Sequence, residues 1–110
     1  MLLIHSTEAT EPNGADREAM LQRYFAFSQE IRDAGKYVAG GELAPTTTAT
    51  TVRVRNGEAL VTDGPFAETK EQLGGYYVLE CENIDEALEY AAKIPSAEHG
   101  SIEVRPVVER

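Results

Sequence analysis

Cysteine, basic residues and long apolar runs are all scarce in this chain of 110 residues. Cys81 is the only cysteine, so no disulfide can form within the chain, which is compatible with a reducing cytoplasm. No apolar run approaches the ~20 residues that a membrane-spanning helix needs. The N-terminal residues 1–5 lack the basic and apolar regions of a signal peptide and are typical of a strand. We therefore expect a cytoplasmic protein without a membrane partner.

The shortage of basic side chains also argues against one class of partner. Ten Lys and Arg residues stand against nineteen Asp and Glu, which gives a formal net charge of −9. Proteins that bind a nucleic-acid backbone or an anionic membrane surface cluster basic side chains instead. We therefore expect no nucleic-acid partner.

Several catalytic and cofactor motifs are absent. No Cys or His cluster has metal-site spacing, and there is no phosphate-binding glycine loop and no serine-nucleophile motif. Cys81 lies among apolar residues of a predicted strand, where a packed thiol is favoured over a nucleophile. We therefore predict neither a metal nor a cofactor.

Apolar periodicity predicts two helices. A stripe of apolar side chains at spacings of four, three and four residues predicts a helix of about five turns: Met20, Tyr24, Phe27 and Ile31. Asp16 is its predicted N-cap, and Gly35 ends it. Asn83 or Asp85 is predicted to cap a second helix, which runs to Lys93.

Alternating apolar and polar residues predict strands at residues 1–6, 37–43, 76–82 and 101–108. The threonine-rich run from Thr46 to Thr51 is expected to be an extended edge segment. Asn56-Gly57 stands between alternating segments at 52–55 and 58–62, which is a strong hairpin signal because both turn residues need positive φ.

The order of these elements predicts a single α+β domain, residues 1–110, with a ferredoxin-like arrangement of β-α-β, hairpin and β-α-β. Two helices cover only one face of such a sheet. A second copy of the chain is the predicted cover for the other face, so we expect a homodimer.

The segment from Asp63 to Gly75 has neither a helical nor a strand-like pattern. It brings Asp63, Glu68 and Lys70 together behind a Gly-Pro turn. Two carboxylates and an ammonium group at a pocket rim could carry out general acid–base chemistry. The structural alternative is that Asp63 accepts hydrogen bonds from backbone amides while Lys70 pairs with Glu68 or Glu71.

Other polar side chains lie on predicted strands. His5 is expected on the face opposite Ile4, where it lines any cavity between two copies or else packs at a rim. His99 is expected to be solvated in a loop. Tyr76 and Tyr77 face opposite sides of one strand, so at most one of them points into a shared cavity.

The nine residues from Asp63 to Glu71, Asp-Gly-Pro-Phe-Ala-Glu-Thr-Lys-Glu, and the Gly-Gly-Tyr-Tyr run at 74–77 resemble the signature of the YCII-related family, in its DGPF branch. The resemblance extends over nearly the whole chain. It takes in Tyr24 and the segments 40–43, 85–87 and 102–106. It implies a ferredoxin-like fold and a dimeric α+β barrel.

The resemblance also implies functions to test. Relatives in the wider superfamily act on lactone or chlorinated rings during aromatic breakdown, with a His–Asp pair proposed as catalytic. The matching position, eleven residues before Gly35, is Tyr24 here, so that pair does not carry over. Proteins of the DGPF branch are often encoded beside extracytoplasmic-function sigma factors, which implies a sigma factor as a partner.

These observations lead to three hypotheses. The first is a cofactor-free dimeric enzyme or binder of a small aromatic-derived or lactone-like molecule, with a pocket between the sheet and the 63–75 loop. Its predicted catalytic set is Asp63, Glu68 and Lys70, and its predicted lining is His5, Tyr24, Gly64 and Tyr76. The second is a non-enzymatic regulatory module for a sigma factor. In the third, the loop is purely structural.

Overall fold

The computed structural model describes residues 1–7 and 14–109. Two helices and six strands follow one another in the order β1 (Leu2–Ser6), α1 (Gly14–Asp33), β2 (Tyr37–Glu42), β3 (Thr50–Arg55), β4 (Glu58–Asp63), β5 (Gln72–Leu79), α2 (Ile84–Lys93) and β6 (Ser101–Val104). Single turns of 3₁₀ helix occur at Thr46–Thr48 and Pro95–Glu98.

Four strands form one antiparallel sheet in the order β2-β5-β1-β6, and β3 and β4 form a separate two-stranded sheet. The chain is therefore an α+β structure that is compatible with a ferredoxin-like fold. Neither helix in the described ranges is long and apolar enough to cross a membrane.

Helix α1 keeps its predicted buried face but begins earlier than expected. Asp16 lies inside the first turn and is not the N-cap, because the helix already begins at Gly14. A carboxylate in that turn still interacts favourably with the helix dipole. Pro12 and Gly14 predict a loop at residues 7–15, and most of it lies outside the described residues. Gly35 ends the helix as predicted, with a φ of 73°.

Helix α2 begins at the predicted cap. The Asn83 side chain accepts a hydrogen bond of 2.9 Å from the Glu86 backbone N–H, which satisfies one of the free amides of the first turn. The Asn83 alternative is thereby confirmed over Asp85.

The core lies between the helices and one face of the sheet. Leu2 and Ile4 of β1 point toward Phe27 and Ile31 of α1, and all four are buried. The Phe27 ring packs edge-on against Tyr77, with the ring centroids 5.2 Å apart. Because side chains alternate along a strand, Leu3 and His5 of β1 point to the opposite, uncovered face.

Three predicted strand boundaries were wrong. The Thr46–Thr51 run is extended only at its end, because Thr46–Thr48 makes a 3₁₀ turn before β3 begins at Thr50. Strand β5 begins at Gln72, inside the predicted loop, and ends before Cys81. Strand β6 ends before Pro106, which has no backbone N–H to continue the ladder.

The predicted hairpin is confirmed. Asn56 and Gly57 have φ values of 53° and 78°, and they connect β3 to β4 with Val52 opposite Val61 and Val54 opposite Ala59. These four residues share one apolar face of the ribbon. Nearly every side chain of the ribbon is exposed, so the hairpin stands apart from the core.

Candidate functional site

A groove of about 350 Å³ lies between helix α1 and the helix-facing side of the sheet. Side chains of α1 from Arg17 to Arg32 form one wall. Strands β1, β2 and β5 form the floor, and the Pro95–Glu98 turn and His99 close one side. Apolar side chains of Ile4, Met20 and Leu21 supply much of the surface between these elements.

The floor of the groove is largely bare backbone. Four glycines lie there side by side, Gly40 and Gly41 on β2 and Gly74 and Gly75 on β5. Two of them have a packing reason. A Cβ on Gly40 would lie 3.0 Å from Tyr77 Cδ1, and a Cβ on Gly75 would lie 3.0 Å from the Gly41 carbonyl oxygen. These four positions add no side chains to the space beneath α1, into which Ile4 and Tyr77 project from the same floor.

Two tyrosine–serine pairs cross the groove. Tyr24 of α1 shares a hydrogen bond of 2.5 Å with the hydroxyl of Ser96, and Ser28 shares one of 3.0 Å with the hydroxyl of Tyr77. Burial raises the pKa of the Tyr24 phenol above its ordinary value of 10.0. The phenol is therefore neutral at neutral pH, and it acts as a hydrogen-bonding group and not as a phenolate base.

Charged side chains mark the two ends of the groove. Arg32 lies at the end where α1 leads into β2, with its guanidinium carbon 4.0 Å from the centre of the Tyr37 ring. Arg17 lies in the second turn of α1, and Glu42 ends β2. Since β2 runs antiparallel to α1, Arg17 and Glu42 belong to the other end.

Of the predicted lining residues, Tyr24 lines this groove. His5 and Tyr76 lie on the opposite face of the sheet, where His5 Nε2 is 3.3 Å from a carboxylate oxygen of Glu103 and Tyr76 is paired with Leu3. Tyr77, the neighbour of Tyr76, is the one that faces the groove. A role for His5 and Tyr76 on the open face stays a prediction.

The predicted catalytic set lies elsewhere in the molecule. Asp63 ends β4, and the side chains of Asp63, Glu68 and Lys70 are all exposed. Among the groove-lining residues, the 63–75 segment contributes Gly74 and Gly75 but none of these three, and Gly64 does not line the groove either. A catalytic role for the set stays a prediction.

The loop from Gly64 to Glu71 is held by hydrogen bonds. Thr51 Oγ1 donates to the Gly64 carbonyl oxygen at 2.8 Å, and Gln72 Nε2 donates to the Ala67 and Thr69 carbonyl oxygens. Ser101 Oγ donates to a Glu71 carboxylate oxygen at 2.9 Å. Over the described ranges, Lys70 forms no ion pair with Glu68 or Glu71, contrary to the structural alternative.

Several groove residues were missed in the sequence: Arg17, Ser28, Arg32 and Ser96. Ser28 and Arg32 follow Tyr24 at intervals of four along α1, so the helical period could have placed them on the same face. Ser96 is 72 positions from Tyr24, and no local pattern connects two such distant residues.

Outside the groove, the Cys81 thiol is half-buried and interacts with Glu86. Burial raises the pKa of the Cys81 thiol, which agrees with a packed side chain. In residues 1–7 and 14–109, no group of three or more His, Cys, Asp or Glu side chains is placed to hold a metal ion.

Comparison with known proteins gives the family. The model of the YCII-related domain matches residues 1–110. An uncharacterised protein of Rhizobium meliloti (strain 1021) is 45% identical over 92 residues, which cover 82% of this chain and 74% of that protein. The family model covers the groove and the loop alike, and the chain belongs to the YCII-related domain family.

Proposed function

We propose that the groove between α1 and the sheet binds a small, flat organic molecule of aromatic-derived or lactone-like type. The observation that carries this proposal is the glycine floor facing the half-buried Tyr24–Ser96 pair. The volume of about 350 Å³ lies within the ~300–1,000 Å³ of ordinary small-molecule pockets.

The shape of the groove favours a planar ligand. A ring can lie against the backbone of β2 and β5 beside the Tyr77 ring, because the four glycines bring no side chains of their own into the groove. Apolar contacts from Ile4 and Met20 then cover the edges of the ring. A bulky, three-dimensional ligand would gain less, because it would lift away from the floor.

The Tyr24–Ser96 pair is suited to bind a carbonyl oxygen of the ligand. Tyr24 is a neutral phenol, so it can donate its hydrogen bond to a ring carbonyl while Ser96 fixes the direction of the phenol. In an enzyme, such a donor would stabilise negative charge that develops on the oxygen. His99, which also lines the groove, supplies a candidate acid or base. The proposed chemistry is isomerisation, elimination or dehalogenation, without a bound cofactor.

A homodimer is part of this proposal. The uncovered sheet face carries Leu3, Tyr76 and Val78, and the hairpin carries further exposed valines. A second copy would remove this apolar surface from water. In such a dimer, the 63–75 loop with Asp63, Glu68 and Lys70 would lie near the residues His5 and Tyr76 of the open sheet face.

A second candidate function is a regulatory module that binds an extracytoplasmic-function sigma factor. The apolar hairpin face favours it, since Val52, Val54 and Val61 are 62%, 61% and 66% exposed in a single chain. The test is a pull-down with an extracytoplasmic-function sigma factor from the same organism. Recovery of nothing, with the hairpin intact, would count against the module.

Coumarin, a flat neutral lactone, provides the test of the groove. We expect wild-type protein to bind it and Tyr24→Phe to weaken binding about tenfold, because a buried hydrogen bond to the carbonyl is lost. Tyr76→Phe is the matched control on the opposite face and should leave the affinity unchanged. If Tyr76→Phe alone weakens binding, the ligand lies on the open face and the groove proposal is wrong.

A further inference from the structure

Two arginines of the groove have no carboxylate partner among the described residues, a property they share with Arg53, Arg55 and Lys70 outside it. The chain has nineteen acidic residues for ten basic ones, so carboxylates are plentiful. Among the described residues, Arg23, Lys36, Lys93 and Arg105 all lie within ion-pair distance of a glutamate. The two arginines that line the groove, Arg17 and Arg32, have no such carboxylate in the described part of the chain.

Arg32 is held in place by an aromatic ring. Its guanidinium carbon lies 4.0 Å from the centre of the Tyr37 ring, so the flat face of the group is stacked. Stacking leaves the N–H edge of a guanidinium available for hydrogen bonds. The adjacent carboxylate, Asp33, forms no ion pair with Arg32 in the described part of the chain and accepts a hydrogen bond from Gln29 at 2.8 Å.

The carboxylate that lines the groove together with Arg32 lies at the opposite end of the groove. Glu42 also lines the groove, but it ends the strand that Tyr37 begins. At ~3.3 Å per residue, the five steps between them span roughly 16 Å. This separation exceeds the Debye length of ~8 Å at physiological salt, so Glu42 does not neutralise the field at Arg32.

We infer that the ligand of the groove is an organic anion whose carboxylate, or a similar oxyanion, binds the stacked guanidinium of Arg32. This inference rests on the proposed small-molecule function of the groove and names the chemical class of its ligand. The ring of the ligand lies on the glycine floor, and its anionic group points toward the Tyr37 end. Planar oxyanions accept two parallel hydrogen bonds from a guanidinium, which gives direction as well as affinity.

A matched pair of probes tests the inference: coumarin-3-carboxylate and its neutral carboxamide. We expect wild-type protein to prefer the carboxylate by about tenfold or more, since a hydrogen bond to a charged group adds that much. Arg32→Gln should reduce the preference to near one without abolishing carboxamide binding. Arg32→Lys keeps the charge but not the two parallel N–H donors of the guanidinium, so it should keep part of the preference for the carboxylate.

The control is Arg23→Gln, on the same helix but paired with Glu98 instead of facing the groove. It should keep the full preference. Equal binding of both probes to wild-type protein, with groove resonances shifted in its amide NMR spectrum, would overturn the anion inference and leave the proposed groove function standing. Failure of both probes to shift those resonances would overturn both. A preference that survives Arg32→Gln would assign the anionic group elsewhere and contradict the role of Arg32.

Discussion

At the scale of single residues, some glycines are required because a Cβ atom would clash, while others leave room for one. Gly100 follows the Pro95–Glu98 turn, and its N–H donates to the Ser96 carbonyl oxygen at 2.7 Å. A Cβ there would overlap the carbonyl oxygen of His5. Gly74 differs, because a Cβ at that position would meet its nearest atom, the Ile4 carbonyl oxygen, only at 4.0 Å.

Gly100→Ala should therefore lower the free energy of unfolding by about 1–3 kcal/mol, the usual cost of overpacking. Gly74→Ala should change it by less than about 1 kcal/mol, since alanine fits there and strands disfavour glycine. Urea denaturation at neutral pH measures both. Equal losses in the two variants would show that the space at Gly74 is not open.

The same Gly74→Ala variant also tests whether the ligand contacts the glycine floor of the groove. Gly74 lines the groove, so the added methyl group should weaken binding of a flat probe such as coumarin several-fold while the protein remains folded. Calorimetric titration measures the affinity. Unchanged binding would mean that the ring of the ligand does not lie over this strand.

At the scale of elements, one ion pair connects the start of β2 to the first turn of α2. Lys36 Nζ lies 2.8 Å from Glu86 Oε1. The hydrogen bond from Lys36 is the main reason that the pKa of Glu86 is lowered from 4.5, and the same bond raises the pKa of Lys36. Because folding favours the ionised Glu86, its contribution to stability is complete above about pH 4.5 and is lost as pH falls through the lowered pKa.

Glu86→Gln should accordingly be less stable than wild type at pH 7, and its stability should fall less steeply between about pH 5 and pH 3. Glu89→Gln on the same helix is the matched control, because Glu89 has no ion pair in the described ranges. Chemical denaturation across this pH range gives both slopes. Parallel curves for wild type and Glu86→Gln would contradict the linkage.

The elements also show which features the sequence could predict and which it could not. The hairpin at Asn56 and the cap at Asn83 were predictable because each depends on local backbone chemistry. The groove was not, because it arises from glycines on two strands that pair at a distance in sequence, and from a helix that passes above them. The bulge between Tyr37 and Ala39 sets which side chains face that helix.

At the scale of the whole molecule, the exposed apolar face of the hairpin is the feature least expected of a single chain in water. A two-stranded ribbon is at best marginally stable alone in water. Its apolar face, which includes Val52, Val54 and Val61, is exposed, and so is Phe66 of the adjoining loop. A second copy of the chain is the cover that we propose.

Replacing Val52, Val54 and Val61 together by threonine should then weaken self-association without unfolding the chain, because threonine keeps β-propensity but loses apolar surface. Sedimentation velocity over a range of concentrations measures the change. Leu60→Thr, on the opposite face of the ribbon, is the control and should associate like wild type. A wild-type protein that stays monomeric throughout would contradict the homodimer.

Glycine amide resonances show directly whether a ligand lies between α1 and the sheet. Addition of coumarin should shift the amide signals of Gly40, Gly41, Gly74 and Gly75, which form the floor. The signals of Gly57 and Gly64, in the hairpin turn and the loop, should stay in place. Shifts confined to Gly64 and the loop that follows it, with the four floor glycines unmoved, would contradict the account.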